Sequence, residues 1–486
     1  MTVNPIRSLA GQTAVYGMGT IIPRLLNYLM VPLYTRVFEQ GVYGQITELY
    51  AYVAFLIVLL TYGMETAFFR YAQKNDPKIV FSNALSSILL TTAVFLLMVT
   101  VFYHDIASMI LYGGNPEYIL FIGIIVGLDA ITAVPFAMLR KLNMARKFAW
   151  IKLTNVILNI GLNLLFIVVF PKFSSNLSDV LFGPGSGLLV WVFVSNIAAS
   201  LLSLLMLWPV LKDFRIVFNG SIIRPMISYA LPVLVVGIAG MINEVIDKIL
   251  LKFLLPDEST AMAQLGVYGA NYKLGILMTL FIQMFRYASE PFFFAEAEKK
   301  NAPELFARIM NYFVIFGLLI FLMVTLFIDV FQLFIAKGYR EGLGIVPIIL
   351  MANLFYGVFY SLSIWYKLTN RTRDGAYISI AGALITVVIN ILFIPLIGYY
   401  GAAWGHFVCY LVMMVVSYIW GQKVYPIPYK MRRLLLYFVM AVSIFFVARL
   451  IEDVETWIKM TISALMLTGF AGFAFVIEKR SISKLP

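Results

Sequence analysis

Long apolar runs, separated by short clusters of charge, fill almost the whole chain. Fourteen of them lie near residues 8–36, 43–69, 79–103, 117–139, 148–170, 187–210, 225–253, 265–293, 308–334, 344–367, 375–397, 400–421, 433–451 and 456–477. About 20 apolar residues cross the hydrocarbon core of a bilayer as a helix, and lipid offers no partner to bare backbone groups. Each run therefore predicts a spanning helix, and the fold class is an all-α polytopic membrane protein with 14 transmembrane helices. The connections are short, the longest outer ones near 171–186 and 254–264, which leaves no room for a folded soluble domain. The first run is too long and too interrupted for a cleaved signal peptide and reads as a mature helix.

The pattern is written twice. Gly41-Val42-Tyr43-Gly44 returns as Gly266-Val267-Tyr268-Gly269, and the same shift of 225 carries Glu65 onto Glu290. At a shift of 227, Asn143, Arg146, Ala149, Ile151, Asn163 and Phe166 return as Asn370, Arg373, Ala376, Ile378, Asn390 and Phe393. Apolar matches come easily in membrane helices, but the Asn, Arg, Gly and Glu matches do not. The expected organisation is an N-terminal lobe over 1–218 and a C-terminal lobe over 219–424, six helices each. An added helix pair follows over 425–486, beyond the turn-rich linker Tyr425-Pro426-Ile427-Pro428-Tyr429. An even number of spans per repeat keeps both copies in one orientation, so their pseudo-twofold axis runs along the membrane normal. Such a doubled bundle is the architecture of secondary transporters, with the site between halves. Pro23, Pro32, Pro135, Pro232 and Pro347 interrupt spans, and a bend at Pro23 would aim Arg24 inward.

Composition agrees with this picture: 62% of residues are hydrophobic, 12% are charged and the mean hydropathy is +0.92. The net charge of +12 reflects topology rather than a nucleic-acid partner. With a cytoplasmic N-terminus, 25 of the 36 Lys and Arg fall on the cytoplasmic side, seven outside and four within helices. That bias is the positive-inside rule, and it places both termini in the cytoplasm. Cys409 is the one cysteine, a small hydrophobe within a helix. Two histidines, His104 and His406, support no metal site, and no cofactor is called for.

Ten ionisable residues fall inside the predicted spans: Arg24, Glu48, Glu65, Asp129, Glu244, Asp247, Lys248, Lys273, Arg286 and Glu290. Each costs roughly 2.5–3.5 kcal/mol at the bilayer centre, so they should face a cavity and one another. All but Asp129 lie on the first two helices of either repeat, which predicts a charge-lined chamber flanked by helices 1, 2, 7 and 8. Glu244 and Lys248, one turn apart in the favourable order, predict an intrahelical ion pair. Glu48, Glu65, Asp129, Glu244, Asp247 and Glu290 are candidates for gating or for coupling to a cation or proton. Glu65 and Glu290 also lie near helix ends, where a carboxylate can reach the headgroups.

Leu139-Arg140 with the basic loop behind it, Asn390 followed by Phe393-Ile394-Pro395-Leu396-Ile397-Gly398, and Gly401-Ala402-Ala403-Trp404-Gly405 carry a family likeness. On them, and on the doubled six-helix unit, the chain resembles the polysaccharide exporters of the multidrug/oligosaccharidyl-lipid/polysaccharide superfamily, to which O-antigen and lipid II flippases belong. The resemblance implies a flippase that moves a polyprenyl-pyrophosphate-linked oligosaccharide across the cytoplasmic membrane by alternating access, for lipopolysaccharide or other surface glycan. It implies that Arg24 and Arg286, on the first and eighth helices, hold the pyrophosphate, with Lys248 and Lys273 assisting. The last helix pair then helps to form a groove for the polyprenyl tail. A departure is the count of six acids against four bases within the spans. Implied partners are the lipid-linked glycan, membrane lipid, a glycan polymerase or glycosyltransferases, and a coupling cation or proton. The rival expectation is an ion-coupled multidrug or metabolite antiporter of the same superfamily, working through Asp129 or Asp247. A polytopic enzyme fits poorly, because the outer loops are short and nearly free of Lys and Arg.

Overall fold

The computed structural model describes residues 5–173, 181, 187–451 and 454–482, with the side chains of those between Gly17 and Lys479 except Pro291. Every regular element among the described residues is helical. Those used below are α1 (Pro5–Tyr28), α2 (Met30–Val37), α3 (Gln40–Thr61), α4 (Met64–Tyr71), α5 (Pro77–Met109), α6 (Glu117–Lys141), α7 (Ala145–Asn163), α8 (Leu189–Met206) and α9 (Gly220–Leu254). They continue as α10 (Glu258–Leu274), α11 (Ile276–Glu296), α12 (Ala302–Leu326), α13 (Val346–Leu362), α14 (Ile364–Leu368), α15 (Thr372–Ile397), α16 (Tyr399–Val424), α17 (Met431–Arg449) and α18 (Thr456–Ile482).

Among the described residues, 12 helical stretches are long and apolar enough to cross a membrane, and the pair α10–α11, bent by 50° at Gly275, makes a thirteenth if it is one span. The chain is thus a multi-pass membrane protein. The count of 14 needs α1, whose side chains through Tyr16 lie outside the described residues, as does most of the connection at 171–186. Helices suit lipid because, away from their ends and prolines, they bond their backbone groups within one segment. The second predicted span is broken, at Tyr62 (φ 34°) and Gly63 (φ 72°), into α3 and α4. Gly63 faces Ala230 and Val233 of α9 so closely that a Cβ there would meet the Ala230 carbonyl at 2.9 Å. Pro23 causes no such break: α1 runs through it and stops at Tyr28.

The chain divides into two compact units. Unit 1 holds the described residues up to Phe38 and from Gln45 to Ile249; unit 2 holds Glu39–Gly44 and everything from Leu250. In unit 1, α1 packs on α7, α7 on α8, and α5 and α8 on α6. The segment after α8 is stitched along α5: Asn219 and Val217 donate their backbone N–H groups to Asn83 Oδ1 (2.7 Å) and Ser86 Oγ (3.0 Å), and Lys78 pairs with Asp213 at 3.1 Å. In unit 2, α16 packs on α13 and α15, and α17 and α18 pack on α12. Within unit 2 the repeated glycines meet. A Cβ on Gly44 would run into the Met262 carbonyl, and one on Gly266 into the Gln40 carbonyl, so the two backbones touch where no side chain fits. Small residues at such crossings let membrane helices approach closely.

One turn is built twice. After α6, Asn143 takes φ 56°; after α14, Asn370 takes φ 58°. In each, the next N–H closes back five residues, Met144 to the Leu139 carbonyl (2.9 Å) and Arg371 to the Tyr366 carbonyl (2.8 Å). This is the Schellman helix ending, in which Asn substitutes for Gly because it tolerates the left-handed conformation. The ending fixes where the last helical turn stops. In both copies it leaves a base, Arg140 or Lys367, three residues before the asparagine.

Candidate functional site

Each unit carries a polar cluster that includes such a base. In unit 1, Glu65 opens α4 just beyond the Gly63 break, and its carboxylate is ion-paired with the Arg140 guanidinium. Arg140 also lies over the Phe69 ring, 5.0 Å from its centroid. Further along, Ser200 donates to Asp129 Oδ1 (2.9 Å), Asn196 donates to the Tyr50 hydroxyl (2.8 Å), and Asn155 donates to Ser203 Oγ (2.9 Å). The Lys152 ammonium stands 4.1 Å over Phe136, and its field includes Asp129, Glu65, Arg140 and Arg24. Five helices thus contribute to one polar track through an apolar bundle. Arg24 itself is exposed on α1.

Glu48, fully buried, accepts a hydrogen bond from the Tyr112 hydroxyl at 2.7 Å. Asp247 is also fully buried, and Lys248 pairs with its Oδ1 at 3.3 Å while donating to the Glu244 carbonyl at 2.8 Å. The Glu244 carboxylate is exposed. Lys248 therefore serves Asp247 rather than the partner expected from helical spacing. An uncompensated buried charge costs far more than a solvated one, which decides between the two acids.

In unit 2, Glu290 accepts from Lys367 Nζ at 2.9 Å and from the Tyr360 hydroxyl at 2.8 Å. Lys367 Nζ also donates to that hydroxyl at 3.1 Å and stands 4.5 Å from the ring centroid. Arg286 lies over the same ring at 4.8 Å. One tyrosine thus lies against two cations, with a single carboxylate between them. Cation–π contacts hold guanidinium and ammonium groups without using up their hydrogen-bond donors, which leaves N–H groups for an anion. Lys273, near the end of α10, is exposed. Two residues before Lys367, Trp365 is buried, donates to Ser417 Oγ at 3.2 Å and packs 6.0 Å from Trp420.

Of the residues singled out by sequence, Arg286 and Glu290 come together, and Glu65 and Asp129 join one track. Lys152, Tyr360 and Lys367 escaped notice because they read as loop charges or core aromatics, and Arg140 was noted only as part of the family likeness, not as a site residue. A signal was present: the 225 shift carries Glu65 onto Glu290, and the 227 shift carries Arg140 onto Lys367. The same ion pair is thus present in both copies.

Residues 9–296, more than half of the chain, match the family of polysaccharide biosynthesis proteins. By sequence, no curated protein matches. Among solved structures, the lipid II flippase MurJ in an inward closed conformation is similar with a TM-score of 0.67 at 14% identity, covering 97% of this chain and 100% of that one. An inward-facing multidrug resistance transporter of the MATE family, of the MOP superfamily, is similar with a TM-score of 0.60 at 14% identity, covering 85% of this chain and 97% of that one. A MATE protein in the straight conformation follows at 0.58 and 15%, covering 87% and 96%. At such identities the likeness is one of fold.

Proposed function

Because the chain belongs to the polysaccharide biosynthesis protein family, we propose that it is a flippase carrying a polyprenyl-pyrophosphate-linked oligosaccharide across the cytoplasmic membrane. Its two six-helix lobes work by alternating access, both termini are cytoplasmic, and α17–α18 are the added pair. The observation that carries this reading is the Arg286–Tyr360–Lys367 cluster, two cations on one ring with a single acid between them. Guanidinium presents a planar fork that binds phosphate oxygens in pairs, and ammonium adds a point charge. Arg24 and Lys273 supply further positive charge. Two carboxylates beside bases, the buried Asp247 and the partly exposed Glu290, are neutralised by Lys248 and Lys367, which reconciles acid-rich spans with an anionic cargo. Glu65 and Glu290 act as gates: each fastens a broken or bent span to the end of a neighbouring helix. Glycosyltransferases supply such a substrate and a glycan polymerase consumes it.

The test is glycan export in cells lacking their own exporter. Arg24→Ala and Arg286→Ala should each abolish export while the protein accumulates in the membrane at normal level. Wild-type export from either variant removes that arginine from the substrate site.

A second reading, an ion-coupled antiporter, draws on Asp129, whose Oδ1 takes the Ser200 hydroxyl within the polar track of unit 1. In that reading Asp129, with Glu48, Glu244 and Asp247, serves a coupling cation or proton. Efflux of a cationic dye by reconstituted protein, driven by a sodium or proton gradient and lost in Asp129→Asn, would favour it over the flippase.

A further inference from the structure

Between α8 and α9, residues 212–219 form no helix, and they lie at the end of unit 1 where α4 stops and α5 starts. Their course is pinned along its length. Lys78 at the start of α5 holds Asp213, and Phe214 packs edge-on against Phe81 with the rings 6.5 Å apart. The N–H groups of Val217 and Asn219 are taken by Ser86 and Asn83 of α5. Just beyond, the Tyr71 hydroxyl at the end of α4 donates to the Pro225 carbonyl at 3.0 Å. With its backbone fixed in this way, the segment turns apolar side chains outward: Ile216 is 76% exposed and Phe218 53%.

Side chains of this size gain by leaving water, so a pinned segment that keeps them outside the fold needs a cover. Trp208 indicates which one. It is 66% exposed in the turn that closes α8, and an exposed tryptophan at the end of a spanning helix is the usual anchor at a headgroup layer. Charge agrees with that depth. Between residues 212 and 224 stand Lys212, Arg215 and Arg224 against a single acid, Asp213, which Lys78 already neutralises. These three bases are exposed and make no ion pair or side-chain hydrogen bond among the described residues. Outward apolar side chains flanked by free bases suit a lipid with net negative charge, and not a zwitterion whose own cation offsets its phosphate.

We propose that this segment is a docking surface for anionic phospholipid: Ile216 and Phe218 enter the acyl layer, while Arg215 and Arg224, with Lys212, hold headgroup phosphates. The leaflet it meets rests on the orientation proposed above; the contact itself does not, and it is read without any export assay. The full-length protein carries a bimane fluorophore on Ile216→Cys in a Cys409→Ser background and is placed in phosphatidylcholine nanodiscs. Nitroxide-labelled phosphatidylglycerol should quench it at about one fifth of the concentration that nitroxide-labelled phosphatidylcholine needs. Arg215→Gln combined with Arg224→Gln should remove that preference, whereas Arg432→Gln, an exposed base at the start of α17, should leave it intact. Equal quenching by the two lipids, quenching by neither, or an unchanged preference in the double variant overturns the site. An equal loss in Arg432→Gln would make the effect one of general surface charge and overturns it too. So does a preference abolished by millimolar inorganic phosphate, which would mean that a free anion, not a headgroup, is the ligand.

Discussion

Glu290 holds its place between Lys367 and the Tyr360 hydroxyl, and Glu65 beside Arg140 repeats the arrangement with a different base. Both pairs are partly exposed, so each contributes only about 1 kcal/mol or less to stability. Their weight falls on conformation instead. Lys367→Glu should impair export strongly, and Glu290→Lys in the same chain should restore a good part of it; a double variant no better than the singles sinks the pairing as a working contact. Sequence spacing reached Glu290 because a carboxylate within an apolar run is conspicuous. It did not reach Lys367, which looks like any base beside a loop until the three-dimensional turn brings it back. The Glu244–Lys248 spacing misled for a related reason. Helical geometry allows that pair, but burial of Asp247 outweighs it, and burial cannot be read from spacing.

Periodicity and span length were enough to place nearly every helix, since lipid permits little else. The breaks were less legible. Prolines attracted attention, yet α1 passes through Pro23, while the actual interruption of the second span comes at Tyr62-Gly63, where glycine accepts a left-handed conformation. The Gly-Val-Tyr-Gly repeat was visible as a motif, but its reason, two backbones in contact, is tertiary. Gly266→Val should therefore destabilise unit 2 markedly, lowering the melting temperature of purified protein. Gly41→Ala, with open space around it, should leave the melting temperature unchanged. At the start of α10, Asp257 caps the helix by accepting from Thr260 and Ser259, and these bonds hold its carboxyl down at about 2, below the usual 3.8. A depressed acid stabilises above its unfolded value and loses that effect as pH falls through the folded one. Melting temperature should thus decline between about pH 4 and 2, and Asp257→Ala should flatten that part of the profile.

At the scale of the whole molecule, the doubled pattern, the charge asymmetry and the added helix pair were all present in the sequence, and the family match over 9–296 agrees with the resemblance they carried. The cargo entered only through that resemblance, because a binding site is a convergence of side chains from distant helices, which sequence spacing does not show. Orientation can be tested cheaply, since Cys409 is the only cysteine. In a Cys409→Ser background, a cysteine at Asn115 should react with an impermeant maleimide in intact cells, and one at Met144 should react only after the membrane is opened. The reverse pattern would invert the topology. One last consequence follows from Trp365, packed in the dark beside Ser417 and Trp420 only two positions ahead of Lys367. Its indole is a built-in optical sensor: a transport cycle that frees Lys367 should wet the ring, shift its emission to longer wavelengths and make turnover visible without any attached label.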